Sequence, residues 1–243
     1  MELKKLTGRV FYYPHQPQTG RPLLAYLKGE KIALAVDAGS SSNHVEEFYR
    51  ILEDAGLKLP DFTVLTHWHW SHAFGLHRVE GFSVALKKTN EYLNQERAKL
   101  TDPEYEESLK QENEYFALEY GKEQDIIVVP AEFQFEGRLT IRLGGMTAEI
   151  FHVESPHTED TVLIRVPEES VLFLGDCIHE ISPSKDKIQS LIHAVEESGC
   201  QHMVLSHEEP MPRQELLRQL ISMEQAETAE PADDDGKNSA GQG

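Results

Sequence analysis

Short apolar runs and longer segments with a helical period alternate along this 243-residue chain. Runs that are rich in β-branched and aromatic residues, and that are bounded by turn residues, predict strands. We place these strands at residues 10–13, 23–27, 32–36, 62–65, 83–86, 126–129, 139–143, 148–153, 161–166, 171–174 and 203–205. Apolar positions with a helical period predict helices at residues 45–52, 184–197 and 213–224. Alternating strands and helices are typical of an α/β layer structure.

A long, charged and helix-favouring segment interrupts this alternation at about residues 87–124. Asp102 and Pro103 predict that one helix stops there and that the next has proline in its first turn. The segment is therefore predicted to be an inserted helical hairpin. Near one face of its second arm lie Tyr105, Leu109, Phe116 and Tyr120. This face either packs on the domain or forms a lid or wall over an active site.

Composition indicates one large globular domain, or two intimate halves, within residues 1–224, because 39% of the residues are hydrophobic. From residue 225 the chain is rich in Ala, Glu, Asp, Gly, Ser and Gln and contains no aromatic residue. We expect residues 225–243 to form a disordered acidic tail.

Charge and cysteine usage exclude several classes of function. The formal net charge of −19 would repel nucleic-acid phosphates, and no basic patch offsets it. Cys177 and Cys200 lack C-x-x-C spacing, so neither a thiolate zinc knuckle nor a disulfide framework fits. No apolar run approaches the roughly 20 residues of a membrane span, and no secretion signal follows the first five residues. We expect a cytoplasmic protein with a small-molecule substrate, without nucleic-acid or membrane partners. Its oligomeric state is left open.

Three imidazoles, those of His67, His69 and His72, lie on one tight loop directly after an apolar strand. Imidazole is the commonest protein ligand for transition metals, and such close spacing lets the three side chains share one or two ions. Later strand-end loops carry His157, at the start of a polar loop, and Asp176. His207 follows the last predicted strand in the same way, and in α/β folds such loops converge in space.

The order of these motifs resembles that of the metallo-β-lactamase-fold metallo-hydrolase superfamily, in which H-x-H-x-D-H follows a strand and separate His, Asp and His loops come later. The resemblance covers roughly residues 10–222. It implies an α/β fold in the form of a four-layer αββα sandwich, here with the helical insertion. It also implies six metal ligands: His67, His69 and His157 for a first ion, His72 and His207 for a second ion, and Asp176 bridging both. The implied cofactor is zinc, as one or two ions, with iron or manganese as alternatives.

Ser71 occupies the position at which the resemblance implies an aspartate ligand of the second ion. A neutral hydroxyl is a poor ligand for a divalent cation, so the second site loses one negative charge. The protein then binds two ions with water replacing the carboxylate, one ion tightly and one weakly, or the first ion alone. We expect the intermediate case, and we assign Ser71 a place among the catalytic residues of a slower hydrolase.

Residues beside these ligands have alternative interpretations. His179 is either a donor that faces the substrate or a surface residue, and Cys177 is either a core residue or a thiolate ligand. Trp68 and Trp70 are expected to pack beneath the histidine loop, with one lining the pocket. Asp37 either orients the histidine loop or forms an Asx turn, and spacing slightly favours the turn. The remaining histidines considered, interpreted as structural or incidental, are His44, His77, His152, His193 and His202.

The favoured function is a metal-dependent hydrolase, in which a metal-bound hydroxide attacks a carbonyl or phosphoryl centre. The resemblance implies a small ester, thioester, lactone, β-lactam or phosphoester as substrate, with a β-lactam disfavoured by the missing secretion signal. One alternative is a family member that binds metal without catalysis, as a binding or regulatory protein. Another is an iron-dependent oxygenase, with a two-His-one-carboxylate site drawn from His67, His157 and Asp176.

Overall fold

Two β-sheets form the centre of the computed structural model, which describes residues 2–121, 125–179, 181 and 184–229. Within these residues the first sheet has seven strands in chain order: β1 (Lys4–Lys5), β2 (Val10–Tyr13), β3 (Leu24–Lys28), β4 (Ala33–Val36), β5 (Phe62–Val64), β6 (Phe82–Leu86) and β7 (Phe133–Phe135). The second sheet, counted over the same part of the chain, has six: β8 (Arg138–Arg142), β9 (Thr147–His152), β10 (Val162–Val166), β11 (Val171–Gly175), β12 (His202–Leu205) and β13 (Met211–Pro212).

Strand direction explains why several loops reach the same edge. Strands β1 to β4 pair antiparallel, whereas β4 to β7 pair parallel, with Val36 opposite Val64 and Val64 opposite Val84. In the second sheet β11 and β12 are parallel and the remaining pairs are antiparallel. Parallel pairs need crossover connections, so the carboxyl ends of β4, β5, β11 and β12 open onto loops at one end of the sandwich.

Helices cover the outer faces of both sheets. The α-helices in the described residues are α1 (Ser42–Asp54), α2 (Trp70–Ala73), α3 (Lys87–Lys99), α4 (Pro103–Glu112), α5 (Glu114–Tyr120), α6 (Lys185–Ser198) and α7 (Arg213–Ala229), and short 3-10 helices lie at Leu76–Arg78 and Pro167–Glu169. Helix α1 packs on the outer face of the first sheet, next to α3 and α5, and α6 and α7 pack on the second. A third core, which lies between the sheets, contains side chains from both. The predicted α/β fold with four αββα layers is confirmed.

Helix α1 shows how local sequence sets an element. The predicted apolar positions Val45, Phe48, Tyr49 and Leu52 are all buried against β3 and β4. The hydroxyl of Ser41 accepts a hydrogen bond from the backbone N–H of His44, which caps the helix.

In its described residues, 87–121, the insertion contains three helices rather than the two arms of a hairpin. Asp102 caps α4 through the backbone N–H of Glu104, and Pro103 occupies the first turn, as predicted. An unpredicted second break comes at Asn113, whose side chain accepts a hydrogen bond from the backbone N–H of Phe116. The end of the predicted insertion, residues 122–124, lies outside the described residues.

The strand predicted at residues 126–129 is wrong, because this segment has no regular secondary structure and β7 follows it at Phe133–Phe135. Val128 is buried among the side chains of the insertion, while Ile127 is 42% exposed. The apolar run is therefore covered by helix packing and not by strand pairing.

The predicted boundary between domain and disordered tail is also too early. Helix α7 continues through Ala229, so residues 225–229 are helical. Of the predicted tail, residues 230–243 lie outside the described residues. In the part of the chain that is described, none of the helices combines the length and apolar character that crossing a membrane requires.

Candidate metal centre

Three strand ends and one connecting loop deliver polar side chains to one end of the sandwich. His67 follows β5, Asp176 follows β11, and His207 follows β12, whereas His157 lies in the loop between β9 and β10. A backbone hydrogen bond of 2.9 Å from the N–H of Val162 to the carbonyl of Thr66 joins the two sheets beside these loops. The convergence of strand-end loops that the sequence predicts is therefore present.

Three imidazole nitrogens form the first cluster. The Nε2 atom of His157 lies 2.9 Å from Nδ1 of His69 and 3.2 Å from Nε2 of His67. The three atoms lie within 4.8 Å of one another, His67 is buried, and the other two side chains are partly buried. This is the set predicted to hold the first ion.

Hydrogen bonds on the far side of two rings decide which nitrogens carry lone pairs. Nδ1 of His157 donates to the backbone carbonyl of His179 at 2.5 Å, so the lone pair of this ring is on Nε2. The hydroxyl of Thr66 donates to the carboxylate of Asp37, at 2.9 and 3.0 Å. Its oxygen therefore accepts from Nδ1 of His67 at 3.0 Å, which leaves the lone pair of that ring on Nε2 as well.

Two lone pairs thus face each other at 3.2 Å, between Nε2 of His67 and Nε2 of His157. Neutral imidazole supplies one ring proton, and both rings have used theirs elsewhere. A cation between the nitrogens removes this repulsion and gains coordination from both, so the residues present fit a metal ion.

A second cluster surrounds Asp176. Its Oδ2 atom lies 3.1 Å from Nε2 of His72, 3.2 Å from Nε2 of His207 and 4.0 Å from Nε2 of His67. His67, His72 and Asp176 are all buried and offer ligand atoms within 4.8 Å of one another. Oδ1 of Asp176 is buried and, among the described residues, has no hydrogen-bond partner. A buried carboxylate oxygen without a donor fits a second cation position next to the first.

Asp37 orients the histidine loop, although the sequence slightly favoured a turn role alone. Its Oδ2 atom lies 2.8 Å from Nδ1 of His72, and its Oδ1 atom accepts from the backbone N–H of Thr66 at 2.7 Å. Asp37 also has a φ of 64°, a left-handed conformation that Asp tolerates better than most residues. Gly175 makes room for this network, because a Cβ there would lie 2.9 Å from Oγ1 of Thr66.

Burial and charge divide the histidines into neutral and charged ones. Burial lowers the pKa of His157, lowers that of His67 well below its usual value, and lowers that of His69 to about 3. For His72 burial acts in the same direction, but the carboxylates of Asp176 and Asp37 outweigh it and raise the pKa to about 10. Burial raises the pKa of Asp176, yet the charge of His72 and the hydrogen bonds from His207 and His72 hold it well below the usual range.

Comparison with known proteins identifies the family of this chain. The family model described as the metallo-beta-lactamase superfamily matches residues 22–188. The chain belongs to the metallo-beta-lactamase superfamily.

Solved structures show the same fold at low sequence identity. A metallo-beta-lactamase from Pontibacter korlensis is 18% identical, with a TM-score of 0.63, over 92% of this chain and 98% of that one. The metallo-beta-lactamase FIM-1 from Pseudomonas aeruginosa, in its mono-zinc form, is 15% identical, with a TM-score of 0.64, over 93% and 96% of the two chains. A double mutant of the sec-alkyl sulfatase PisA1 is 11% identical, with a TM-score of 0.71, over 92% of this chain and 41% of the sulfatase. A search of curated protein sequences found no significant match.

A cavity of about 510 Å³ opens beside the candidate metal centre. His69, Asp176 and His207 contribute to its wall, together with Ser71 and His179. Ser71 is 8% exposed, and its backbone carbonyl accepts a hydrogen bond from the hydroxyl of Ser40 at 3.2 Å. The ring of His179 stacks on that of His207, with centroids 4.5 Å apart. Both residues therefore lie where a bound molecule would meet the metal ligands.

The other residues that the sequence singled out near the ligands lie in the hydrophobic core, in the cavity wall or outside the site. Trp68 packs on His69 with ring centroids 4.7 Å apart, and Trp70 both packs on Phe116 and lines the cavity, as predicted. Cys177 is a buried core residue that lies outside both clusters of candidate metal ligands, and its thiol donates to the backbone carbonyl of Leu174. His152 lies outside the metal clusters and contacts the carbonyl of Glu159.

Sequence reasoning missed several residues of the cavity wall, among them His15 and Tyr115. His15 comes from the segment after β2, and its ring contacts that of His207 with centroids 4.9 Å apart. Tyr115 comes from α5 of the insertion. His15 follows the end of β2 by two residues, as His207 follows β12, so its strand-end position was a signal that could have found it. For Tyr115 the signal was the aromatic character of the insertion and its interpretation as a wall.

Proposed function

We propose that this protein is a metal-dependent hydrolase that acts on a small ester, thioester, lactone or phosphoester. The observation that carries the proposal is the convergence of three imidazoles beside a cavity whose wall includes His69. Nε2 of His157 lies 2.9 Å from His69 and 3.2 Å from His67, and the cavity volume of about 510 Å³ is typical of small-molecule sites.

Six residues are proposed as metal ligands. They are His67, His69 and His157 for the first ion, His72 and His207 for the second ion, and Asp176 between them. Zinc suits this set because nitrogen ligands with one carboxylate match a borderline cation. When bound, a divalent ion supplies a Lewis acid and lowers the pKa of a water molecule in contact with it.

The chain's own residues provide orientation. Asp37 holds His72, Thr66 holds His67, and the carbonyl of His179 holds His157, so each ring has its outer nitrogen engaged. Such outer contacts commonly change metal affinity by about 10- to 100-fold when they are removed. We propose that the ring of His179 also donates to the substrate, because it lines the cavity beside His207.

Ser71 is proposed to weaken the second ion and to contact the substrate. The side chain of Ser71 carries no negative charge. The carboxylates near the second ion position are those of Asp37 and Asp176, and both already contact the ring of His72. We therefore propose one tight ion and one weak ion. The mono-zinc form of FIM-1 supports occupancy of a single site within this fold.

The test is metal analysis together with hydrolysis of thioester, lactone and phosphodiester probes. We expect between one and two zinc ions per chain and turnover of at least one probe. His157→Ala should lose the tight ion and the activity, whereas the matched variant His152→Ala should keep both, since His152 lies outside the metal clusters.

Two outcomes would contradict this proposal. Stoichiometric iron with oxygen-dependent turnover would favour an oxygenase. Tight metal binding without turnover of any probe would favour a binding or regulatory role.

A further inference from the structure

The charge of the cavity wall bears on which substrates can enter it. Among the described residues that line the cavity, none is lysine or arginine. Asp176 and Glu208 line it, and both are acidic. The whole chain has a formal net charge of −19, so the proposed metal ions are the main source of positive charge at this site.

One arginine lies next to this wall. Nδ1 of His15, a residue of the wall, donates to the backbone carbonyl of Arg21 at 2.8 Å.

The guanidinium of Arg21 is engaged elsewhere. It forms two ion pairs at 2.8 Å, one with Glu47 and one with Glu119, and its side chain is 13% exposed. An anionic substrate would therefore enter next to Glu208 without a cationic side chain on the wall to compensate its lost hydration.

Two aromatic rings give the cavity an apolar surface with a fixed shape. Trp70 packs edge-on against Phe116, with centroids 5.1 Å apart. Tyr115 lies directly on the backbone of Gly20, where an added Cβ would be 2.6 Å from Cγ of the ring. Gly20 has a φ of 66°, so both its conformation and its lack of a side chain are needed to seat this ring.

The geometry points to a substrate that is an uncharged carbonyl ester or lactone with an apolar or aromatic group seated between Trp70 and Tyr115. This inference rests on the proposed hydrolase function and narrows its range. Substrates that carry a carboxylate or a phosphate away from the reacting bond are disfavoured by the wall. The insertion supplies Tyr115 and holds Trp70, so it determines specificity.

Matched phenyl esters test the inference in the zinc-loaded, full-length protein. Phenyl heptanoate and monophenyl adipate share a leaving group and nearly the same acyl length, and differ in a distant carboxylate. We expect kcat/KM to be at least about tenfold higher for phenyl heptanoate, because like charges in a desolvated site repel strongly.

Variants at the wall separate charge from shape. Glu208→Gln should raise kcat/KM for monophenyl adipate about threefold and leave phenyl heptanoate unchanged. Glu209→Gln is the matched control and should change neither, because Glu209 pairs with Lys4 and is not part of the cavity wall. Tyr115→Ala should lower kcat/KM for phenyl heptanoate about tenfold through a higher KM, and Tyr115→Phe should restore it.

The outcomes distinguish the inference from the function on which it rests. Equal or faster hydrolysis of monophenyl adipate would overturn the substrate assignment and leave the hydrolase function intact. Unchanged kinetics in Tyr115→Ala would overturn the role of the aromatic wall. Hydrolysis of neither ester by the zinc-loaded protein would overturn the hydrolase function for carbonyl esters, and the substrate assignment with it.

Discussion

Binding of the second metal ion is expected to release one proton, and the source of that proton is His72. Its Nδ1 lies 2.8 Å from Asp37 and its Nε2 lies 3.1 Å from Asp176, so in the metal-free protein both ring nitrogens have a carboxylate to which they donate. A metal ion can bind to Nε2 only after the proton there has left.

The pKa sets the size of this competition. The two carboxylates outweigh burial and raise the pKa of His72 to about 10. At about pH 7.5 the ring of the metal-free protein is therefore almost fully protonated, and displacing the proton weakens metal binding by up to about 3 kcal/mol, or roughly 300-fold. A first ion nearby lowers the pKa of this ring, so second-ion affinity should rise about tenfold per pH unit and level off below about pH 10.

The first ion should behave differently. Burial lowers the pKa values of His67, His69 and His157, so these rings carry no dissociable proton to displace at neutral pH. Titration calorimetry in phosphate and in Tris separates the two steps, because the buffers differ in ionisation enthalpy. We expect no proton released with the tight ion and one with the weak ion, and the second release should be absent in His72→Gln. Equal release in both steps, or release that survives in His72→Gln, would refute this reasoning.

Three further predictions concern metal affinity and stability. Ser71→Asp should raise second-ion affinity at least about tenfold over Ser71→Ala, measured by competition with a chromophoric chelator, and an unchanged affinity would contradict the missing-carboxylate explanation. Arg21→Met should lower the free energy of unfolding, measured in urea, by about 3 kcal/mol, because it leaves the buried carboxylate of Glu119 without its ion-pair partner. Arg78→Met is the matched control and should lower it by less than about 1 kcal/mol, because the ion pair of Arg78 with Glu46 is exposed. His44 is fully buried, and burial holds its pKa well below the usual value. Its imidazole therefore stays neutral in the folded protein, whereas in the unfolded chain the same ring gains a proton below about pH 6.5. Acidification from about pH 7.5 to 5.5 should therefore lower the free energy of unfolding of the natural protein by about 1.4 kcal/mol more than that of His44→Gln. The same pH dependence of the free energy of unfolding in both proteins would contradict this prediction.

Much of the architecture could be predicted from local patterns. The apolar positions of α1 at Val45, Phe48 and Leu52 follow a helical period, and all are buried. The strands that precede His67 and Asp176 are short buried runs, and both residues follow their strand ends as expected. These features depend on neighbouring residues, so the order of the amino acids contains the information that specifies them.

Contacts between distant segments could not be predicted in this way. Asp37 and His72 are 35 positions apart, and an Asp after a strand is equally suited to a turn, so spacing alone favoured the wrong role. The run at residues 126–129 has the composition of a strand, but Val128 packs among the helices of the insertion. Burial decided its structure, and burial is a property of the assembled fold.

By itself, the sequence determined the layered α/β fold and the set of side chains able to bind metal, because strand and helix periods and strand-end positions are local properties. Tertiary structure alone decided which ring nitrogens face one another at 3.2 Å and which carboxylates hold His72. It also decided that Tyr115, brought from the insertion onto Gly20, forms part of the cavity wall. Each of these depends on distances between segments far apart in the chain, and such distances arise only when the sheets and the insertion pack together.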